Sequence, residues 1–400
     1  MVFALLAASP ETVQFLVMML VVFGSAKVLG ELSQRLGQPS IVGALLAGIL
    51  IGPTALHLVE PNHFLSALSE LGVMFLLFQV GLEVKASELM RSGRIALLVA
   101  ILGVVVPLGA GFAILELTGH PLIESIFMGA AMVATSVGIT AQVLADKGLL
   151  QHRTAQVILA AAVIDDVLGL LVLAVVSSMA EGKIDIAGLT ITTVISVVFV
   201  VAVAKFGTPT VNVVLPRMRK TLRSADAEFG IALIFLFGMS LLAVVSGVAA
   251  IIGAFLAGMA LAESVEHRVH DLARGATELM VPFFLTGIGM GMNLTVFRDP
   301  KLLYLAAGIF LAAVISKWLG CGLGALSLGA ANANRVGLGM VPRGEVGMVV
   351  AQIGMARGAI SAEVYAVAVF MAVATTMAAP PLLNRAYRSL AVPEPSTMTE

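Results

Sequence analysis

Long apolar runs alternate along this chain with short polar punctuation. Thirteen runs can be marked, near 12–34, 39–58, 64–83, 94–118, 122–146, 153–180, 187–206, 226–245, 247–263, 276–296, 302–328, 332–356 and 362–386. A helix rises about 1.5 Å per residue and the bilayer core is about 30 Å thick, so roughly 20 apolar residues make one crossing. The charge-free stretch from Phe229 to Ala262 has 34 residues. That is about 50 Å of helix, too long for one passage, and a break at Ser246-Gly247 divides it. The connections are short and leave no room for a soluble domain. The pattern predicts an all-α polytopic membrane protein, 1–400 being one transmembrane unit with thirteen transmembrane helices. Residues 388–400, rich in Pro, Ser and Thr, are expected to form a frayed tail.

Composition narrows the function classes. The 400 residues are 59% hydrophobic and 12% charged, about half the charge of an ordinary soluble domain. A net charge of −1 offers no basic field for nucleic acid, and the single cysteine, Cys321, makes no disulfide framework. No nucleophile–base pair of recognisable spacing and no P-loop is present, so an enzyme is not expected and no cofactor is implied. The N-terminus lacks the positive region of a signal peptide. Basic residues set the orientation. With the N-terminus outside and the C-terminus cytoplasmic, seventeen Lys and Arg fall at cytoplasmic ends, against four outside (Lys183, Arg298, Lys301 and Arg357). A miscount by one helix would scramble this asymmetry.

Scarce charge makes its placement informative. An ionisable group at membrane depth costs about 2.5–3.5 kcal/mol on insertion scales and marks function by default. Asp165 and Asp166 lie mid-way along the sixth run, Lys317 in the eleventh, and Arg343 and Glu345 in the twelfth. Adjacent residues on a helix project about 100° apart, so the two carboxylates can line one cavity while only one meets an ion directly. Each raises the other's proton affinity, burial raises it further, and the pair titrates as a unit. Such a pair suits exchange of protons for a hard, oxygen-seeking cation. The plainer alternative is a buried ionic network that only holds helices together. An apolar contact would do that at lower cost. For Arg343 and Glu345, two residues apart beside Pro342 and Gly344, a local structural ion pair is an equal reading.

Two runs carry helix-breaking chemistry. The fifth contains Ala134-Thr135-Ser136-Val137-Gly138-Ile139-Thr140, and the twelfth contains Gly337-Leu-Gly339-Met-Val-Pro342-Arg-Gly344. If the seventh run is a linker, these are each the fifth helix of a six-helix half, and the odd count inverts one half relative to the other. Interrupted helices at matching positions point to a transporter binding site. Bare backbone at membrane depth is tolerated only where it lines a cavity or is buried in protein. Glycine also marks tight helix packing, as Gly48-x-x-x-Gly52 and Gly320-x-x-x-Gly324 can. At one cytoplasmic loop His267 and His270 cluster with Glu263, Glu266 and Asp271, a candidate pH sensor. An ordinary solvated loop face is the stronger reading of that cluster, and its spacing is not that of a zinc motif.

Taken together, the residues Leu36-Gly-Gln-Pro-Ser-Ile-Val-Gly43, Gly81-Leu-Glu83, Ala134-Thr-Ser-Val-Gly-Ile-Thr140, Ile164-Asp-Asp166 and Pro342-Arg-Gly-Glu-Val-Gly347 are highly specific in that order. Over its whole length the chain resembles the monovalent cation:proton antiporters, in particular the second cation:proton antiporter family and its electrogenic NapA-type sodium/proton exchangers. The resemblance implies a homodimer in the cell membrane. A core domain (about 94–180 and 302–386) would move against a dimerisation domain (about 12–83 and 226–296), joined by the linker 187–206. It implies broken fifth and twelfth helices crossing near the aspartates, with Asp166 binding Na⁺ and oxygens of Thr135 and Ser136 assisting. Asp165 would pair with Lys317, and Arg343 and Glu345 would balance charge. Members with Asp-Asp exchange two protons for one sodium, whereas potassium-efflux relatives carry Gln-Asp and a nucleotide-binding domain. The implied partners are Na⁺ or Li⁺, H⁺ and the bilayer. K⁺/H⁺ exchange, a sodium-coupled solute symporter and a cation channel stand as alternatives.

Overall fold

Where water is absent, a segment must satisfy its own N–H and C=O groups, and an apolar run does so by forming a helix. The computed structural model describes residues 10–36, 38–84, 93–181, 186–219, 227–292 and 299–390. The described residues form fifteen α-helices and no strand. They are α1 (Pro10–Arg35), α2 (Ser40–Ile51), α3 (His63–Leu82), α4 (Gly93–Leu117), α5 (Leu122–Ala131), α6 (Val137–Asp146), α7 (Arg153–Glu181) and α8 (Ile186–Arg219). They continue with α9 (Ala227–Val245), α10 (Ala250–Leu261), α11 (His267–Met290), α12 (Pro300–Gly324), α13 (Ala330–Gly339), α14 (Glu345–Ala356) and α15 (Ala362–Ala386). Eight of them are long and apolar enough to cross a membrane, and five shorter apolar helices accompany them.

The helices pack in two groups. In one, α3 lies against α10 and α11, α2 against α1 and α11, and α9 against α10. In the other, α4 lies against α12, α5 and α7, and α15 against α12, α13 and α14. Lipid supplies no hydrophobic drive between helices, so close approach through small residues does the work. Gly48 of α2 and Gly289 of α11 meet reciprocally: a Cβ on the first would lie 2.1 Å from Thr286 O, and on the second 2.2 Å from Leu45 O. Gly81 of α3 and Gly258 of α10 repeat the device against Phe255 O and Phe78 O. No side chain fits at either crossing.

Several boundaries differ from the sequence reading, each for a local reason. The second run is helical only to Ile51, because Pro53 follows Gly52 and cannot continue the ladder. The chain folds back there, Leu58 and Val59 both donating to Ile51 O. The seventh run extends thirteen residues beyond 206, to Arg219. Its polar continuation buries Val211 and Leu215, one turn apart, in a cluster with Phe78, Leu261 and Val269. Ser246-Gly247 does separate α9 from α10, with Gly247 at φ 75°. Residues 391–400 of the expected tail lie outside the described residues.

Candidate ion-binding site

Two interruptions define the site. Helix α5 ends at Ala131 and α6 begins at Val137, leaving a turn at Met132-Val133 and three non-helical residues, Ala134-Thr135-Ser136, between them. Helix α13 ends at Gly339 and α14 begins at Glu345. Pro342, with no N–H, sits in the middle of that second gap. The gaps bond to each other: the Ser136 N–H donates to Pro342 O at 2.8 Å, and the Thr140 hydroxyl donates to Gly339 O at 2.6 Å. Gly344 lies against Ser136, where a Cβ would fall 2.5 Å from Oγ. Of the expected break residues, Pro342 and Gly344 are in the gap. Gly138 is not: it occupies the first turn of α6, and a Cβ there would lie 3.2 Å from Val73 Cγ2 of α3. Its smallness serves packing rather than interruption.

One buried ion pair touches the first gap. The Lys317 ammonium, on α12, lies 3.1 and 3.2 Å from the two carboxylate oxygens of Asp165 on α7. It also donates to Val133 O at 2.6 Å and to Gly103 O at 2.8 Å. Both side chains are fully enclosed. A buried charge is tolerable when paired and hydrogen-bonded, and Lys317 has acceptors for all three of its N–H groups. Val133 follows the carbonyl end of α5, where the helix dipole adds partial negative charge. The lysine therefore ties the aspartate-bearing helix to the interruption between α5 and α6.

Arg343 handles the second gap differently. Its guanidinium is fully buried and donates to Met340 O at 3.1 Å, Val341 O at 3.0 Å and Ala313 O at 3.3 Å. Its backbone N–H donates to Thr375 Oγ at 3.1 Å, and the Thr376 hydroxyl donates to its carbonyl. The arginine thus caps the unwound carbonyls after α13 from within its own gap. The Glu345 side chain lies outside the described residues.

Asp166 follows Asp165 on α7 and is 7% exposed. The Thr135 and Ser136 side chains are buried in the first gap, and their hydroxyls have no hydrogen-bond partner among the described residues. A buried hydroxyl without a partner is the exception in folded proteins. His267 and His270 lie on the first turns of α11, rings 6.0 Å apart, well away in sequence and element from these gaps. Burial raises the affinity of nearby Glu83 for its proton, against the opposing charges of His270 and Arg274. Sequence reasoning missed Thr375 and Thr376, adjacent hydroxyls inside the apolar run of α15, and that adjacency was the available signal. It also missed Gly103, whose contribution is a carbonyl.

The chain matches the family model described as sodium/hydrogen exchanger, transmembrane, over residues 17–385. It is 35% identical to the Na⁺/H⁺-K⁺ antiporter GerN of Bacillus cereus, across 90% of this chain and 93% of that one. It is 32% identical to the high-affinity Na⁺/H⁺ antiporter NhaS3 of Synechocystis sp., across 93% and 89%. The fold is similar to that of the sodium proton antiporter MjNhaP1 from Methanocaldococcus jannaschii at pH 8. The TM-score is 0.61 at 18% identity, covering 93% of this chain and 96% of that one. These relatives are transporters rather than enzymes, and a chain matched over nearly its whole length belongs to the sodium/hydrogen exchanger family of cation:proton antiporters.

Proposed function

We propose that this protein exports Na⁺, or Li⁺, in exchange for H⁺ by alternating access at the Asp165–Asp166 pair. The observation that carries this reading is the enclosed Asp165–Lys317 pair, bonded to a carbonyl of one helix gap while that gap bonds to the other. Counting α5 with α6 and α13 with α14 as two broken spans leaves thirteen crossings, with the N-terminus outside and the C-terminus cytoplasmic. Helices α4–α7 and α12–α15 then form the moving core. Helices α1–α3 and α9–α11 form the dimerisation domain of a homodimer, and α8 links the two.

In the inward-open state Na⁺ displaces protons from the carboxylates. Asp166 and the hydroxyls of Thr135 and Ser136 replace part of its hydration shell. Lys317 pairs with Asp165 when the cation is absent. Cation or proton occupancy neutralises the core enough for it to cross. An empty site with Asp166 ionised and uncompensated is too costly to carry through a low-dielectric gap. That penalty blocks leak, and competition for the same oxygens enforces exchange. Two protons against one sodium makes the cycle electrogenic, so an inward proton-motive force drives Na⁺ out. Arg343, with Glu345, balances charge at the second break, and His267 and His270 tune the working pH.

A second reading, K⁺/H⁺ exchange, is favoured by the potassium in the name of the Bacillus cereus relative. One experiment separates them. Purified protein in liposomes with an internal pH dye is challenged with Na⁺, Li⁺ and K⁺ at clamped potential. Proton flux with Na⁺ and Li⁺ is expected, and it is lost in Asp166→Asn. Sodium-dependent flux that survives this change removes Asp166 from the mechanism, and a K⁺ response of equal size establishes the second reading.

A further inference from the structure

Helices α4 and α12 approach closely on glycines. A Cβ on Gly320 would lie 2.6 Å from Leu102 O, and one on Gly324 would lie 2.7 Å from the Val99 backbone. This is the Gly-x-x-x-Gly of the eleventh run, and it brings the α4 backbone against the face of α12 that carries Lys317. Opposite sits Gly103 of α4. A Cβ there would lie 2.6 Å from Cys321 Sγ and 3.4 Å from both Cε and Nζ of Lys317. Cys321 is fully buried and one helical turn beyond Lys317 on the same helix. Among the described residues the ammonium bonds three groups, the Gly103 carbonyl, Val133 O and the Asp165 carboxylate.

We infer that Gly103 is a positioning residue for Lys317: its missing side chain, matched to the Cys321 sulfur, lets α4 offer a carbonyl that shares the ammonium with Asp165. The inference rests on reading Asp165 and Lys317 as part of the transport site. Its consequence is a divided lysine. Two N–H groups are held by backbone that does not titrate, and only the third faces the carboxylate. A cation or proton arriving at Asp165 then has to displace one hydrogen bond rather than the whole ammonium. A methyl group on Gly103 pushes Cys321 and the ammonium away from α4. The carbonyl bond is lost, and Lys317 is left leaning harder on Asp165.

The test is Gly103→Ala in proteoliposomes, reading the apparent KM for Na⁺ and the pH of half-maximal exchange. KM is expected to rise roughly three- to tenfold, the scale of one ordinary net hydrogen bond, and the pH profile is expected to shift with it. In the Cys321→Ala background the space is restored. There the Gly103→Ala change is expected to return both readings to those of Cys321→Ala alone, a rescue that a general packing defect would not show. Should Gly103→Ala not accumulate in membranes, Cys321→Val crowds the same seat from α12 and is expected to raise KM in the same way. An unchanged KM and pH profile in the accumulating variant overturns the inference, as does a shift that Cys321→Ala fails to rescue. Asp166→Asn, run in parallel, keeps the two readings apart. Its loss of exchange beside an indifferent Gly103→Ala removes only the positioning role, whereas its retained exchange removes the site itself.

Discussion

The two helix interruptions solve one physical problem with different cations. Each exposes carbonyls at membrane depth that lipid cannot satisfy. After α13 the solution is internal: Arg343 belongs to the gap it caps, and the three groups its guanidinium bonds are all backbone carbonyls. After α5 the solution is borrowed: Lys317 comes from α12, bonds Val133 O, and at the same time pairs with Asp165. Among the described side chains, only the arrangement after α5 links a backbone interruption to a group that can change its charge. Geometry therefore separates a guanidinium held by backbone carbonyls from an ammonium that also holds a carboxylate.

The comparison is broken most forcefully at Lys317. Replacing it with Met leaves Asp165 buried without its partner, a loss of about 3–5 kcal/mol. Combining that change with Asp165→Asn removes both charges and is expected to regain most of the stability, because a neutral pair in place of a buried ionic one is often tolerated. Thermal unfolding in detergent measures both. The double variant is also expected to lose the response of exchange to an imposed membrane potential. If Lys317→Met alone melted like the parent, the pair would carry no structural weight.

Arg343→Met sharpens the contrast. It orphans carbonyls of the second gap and is expected to cost about 1–3 kcal/mol. No carboxylate partner appears among the described contacts of its guanidinium, so neutralising Asp165 is expected to leave this loss in place. Recovery of the melting temperature in Arg343→Met/Asp165→Asn would mean that the two gaps are electrostatically joined after all.

The smallest expected effect lies where the start of α7 comes close to the end of α15. There the His152 ring and the Tyr387 hydroxyl both bond Thr154 Oγ, at 2.7 and 2.8 Å, and Arg335 stacks over Tyr387. Burial, and secondarily the Arg335 charge, hold the His152 pKa below its ordinary 6.5. The unfolded chain thus takes up a proton more readily than the folded one. Stability from this corner is complete above about pH 6.5 and is lost as pH falls through the lowered folded value. His152→Gln is expected to flatten the acid limb of a melting-temperature profile, and an unaltered limb would place the acid sensitivity elsewhere.

The legible part of this molecule was the part governed by cost. Apolar runs with almost no charge dictate helices, and an ionisable residue inside such a run is conspicuous. Asp165, Asp166, Lys317 and Arg343 could therefore be singled out without coordinates, as could the two glycine-, proline- and hydroxyl-rich interruptions. Residue type was less informative where backbone made the contact. Gly103, Val133, Met340, Val341 and Ala313 act through carbonyls, which every residue possesses, so nothing in their identity announces the role. Gly138 misled for a related reason: glycine permits both a break and a close approach, and only the presence of Val73 shows which one applies here.

By itself, then, the sequence determined the class, the helical runs and the short roster of buried charges, because transfer of apolar and charged groups between water and lipid depends on local composition. Which carbonyls meet the arginine, and which share the lysine with Asp165, was decided only by tertiary structure. The lysine's bonds join residues between 152 and 214 positions apart in the chain, through close approaches that glycine allows and that a linear pattern does not encode.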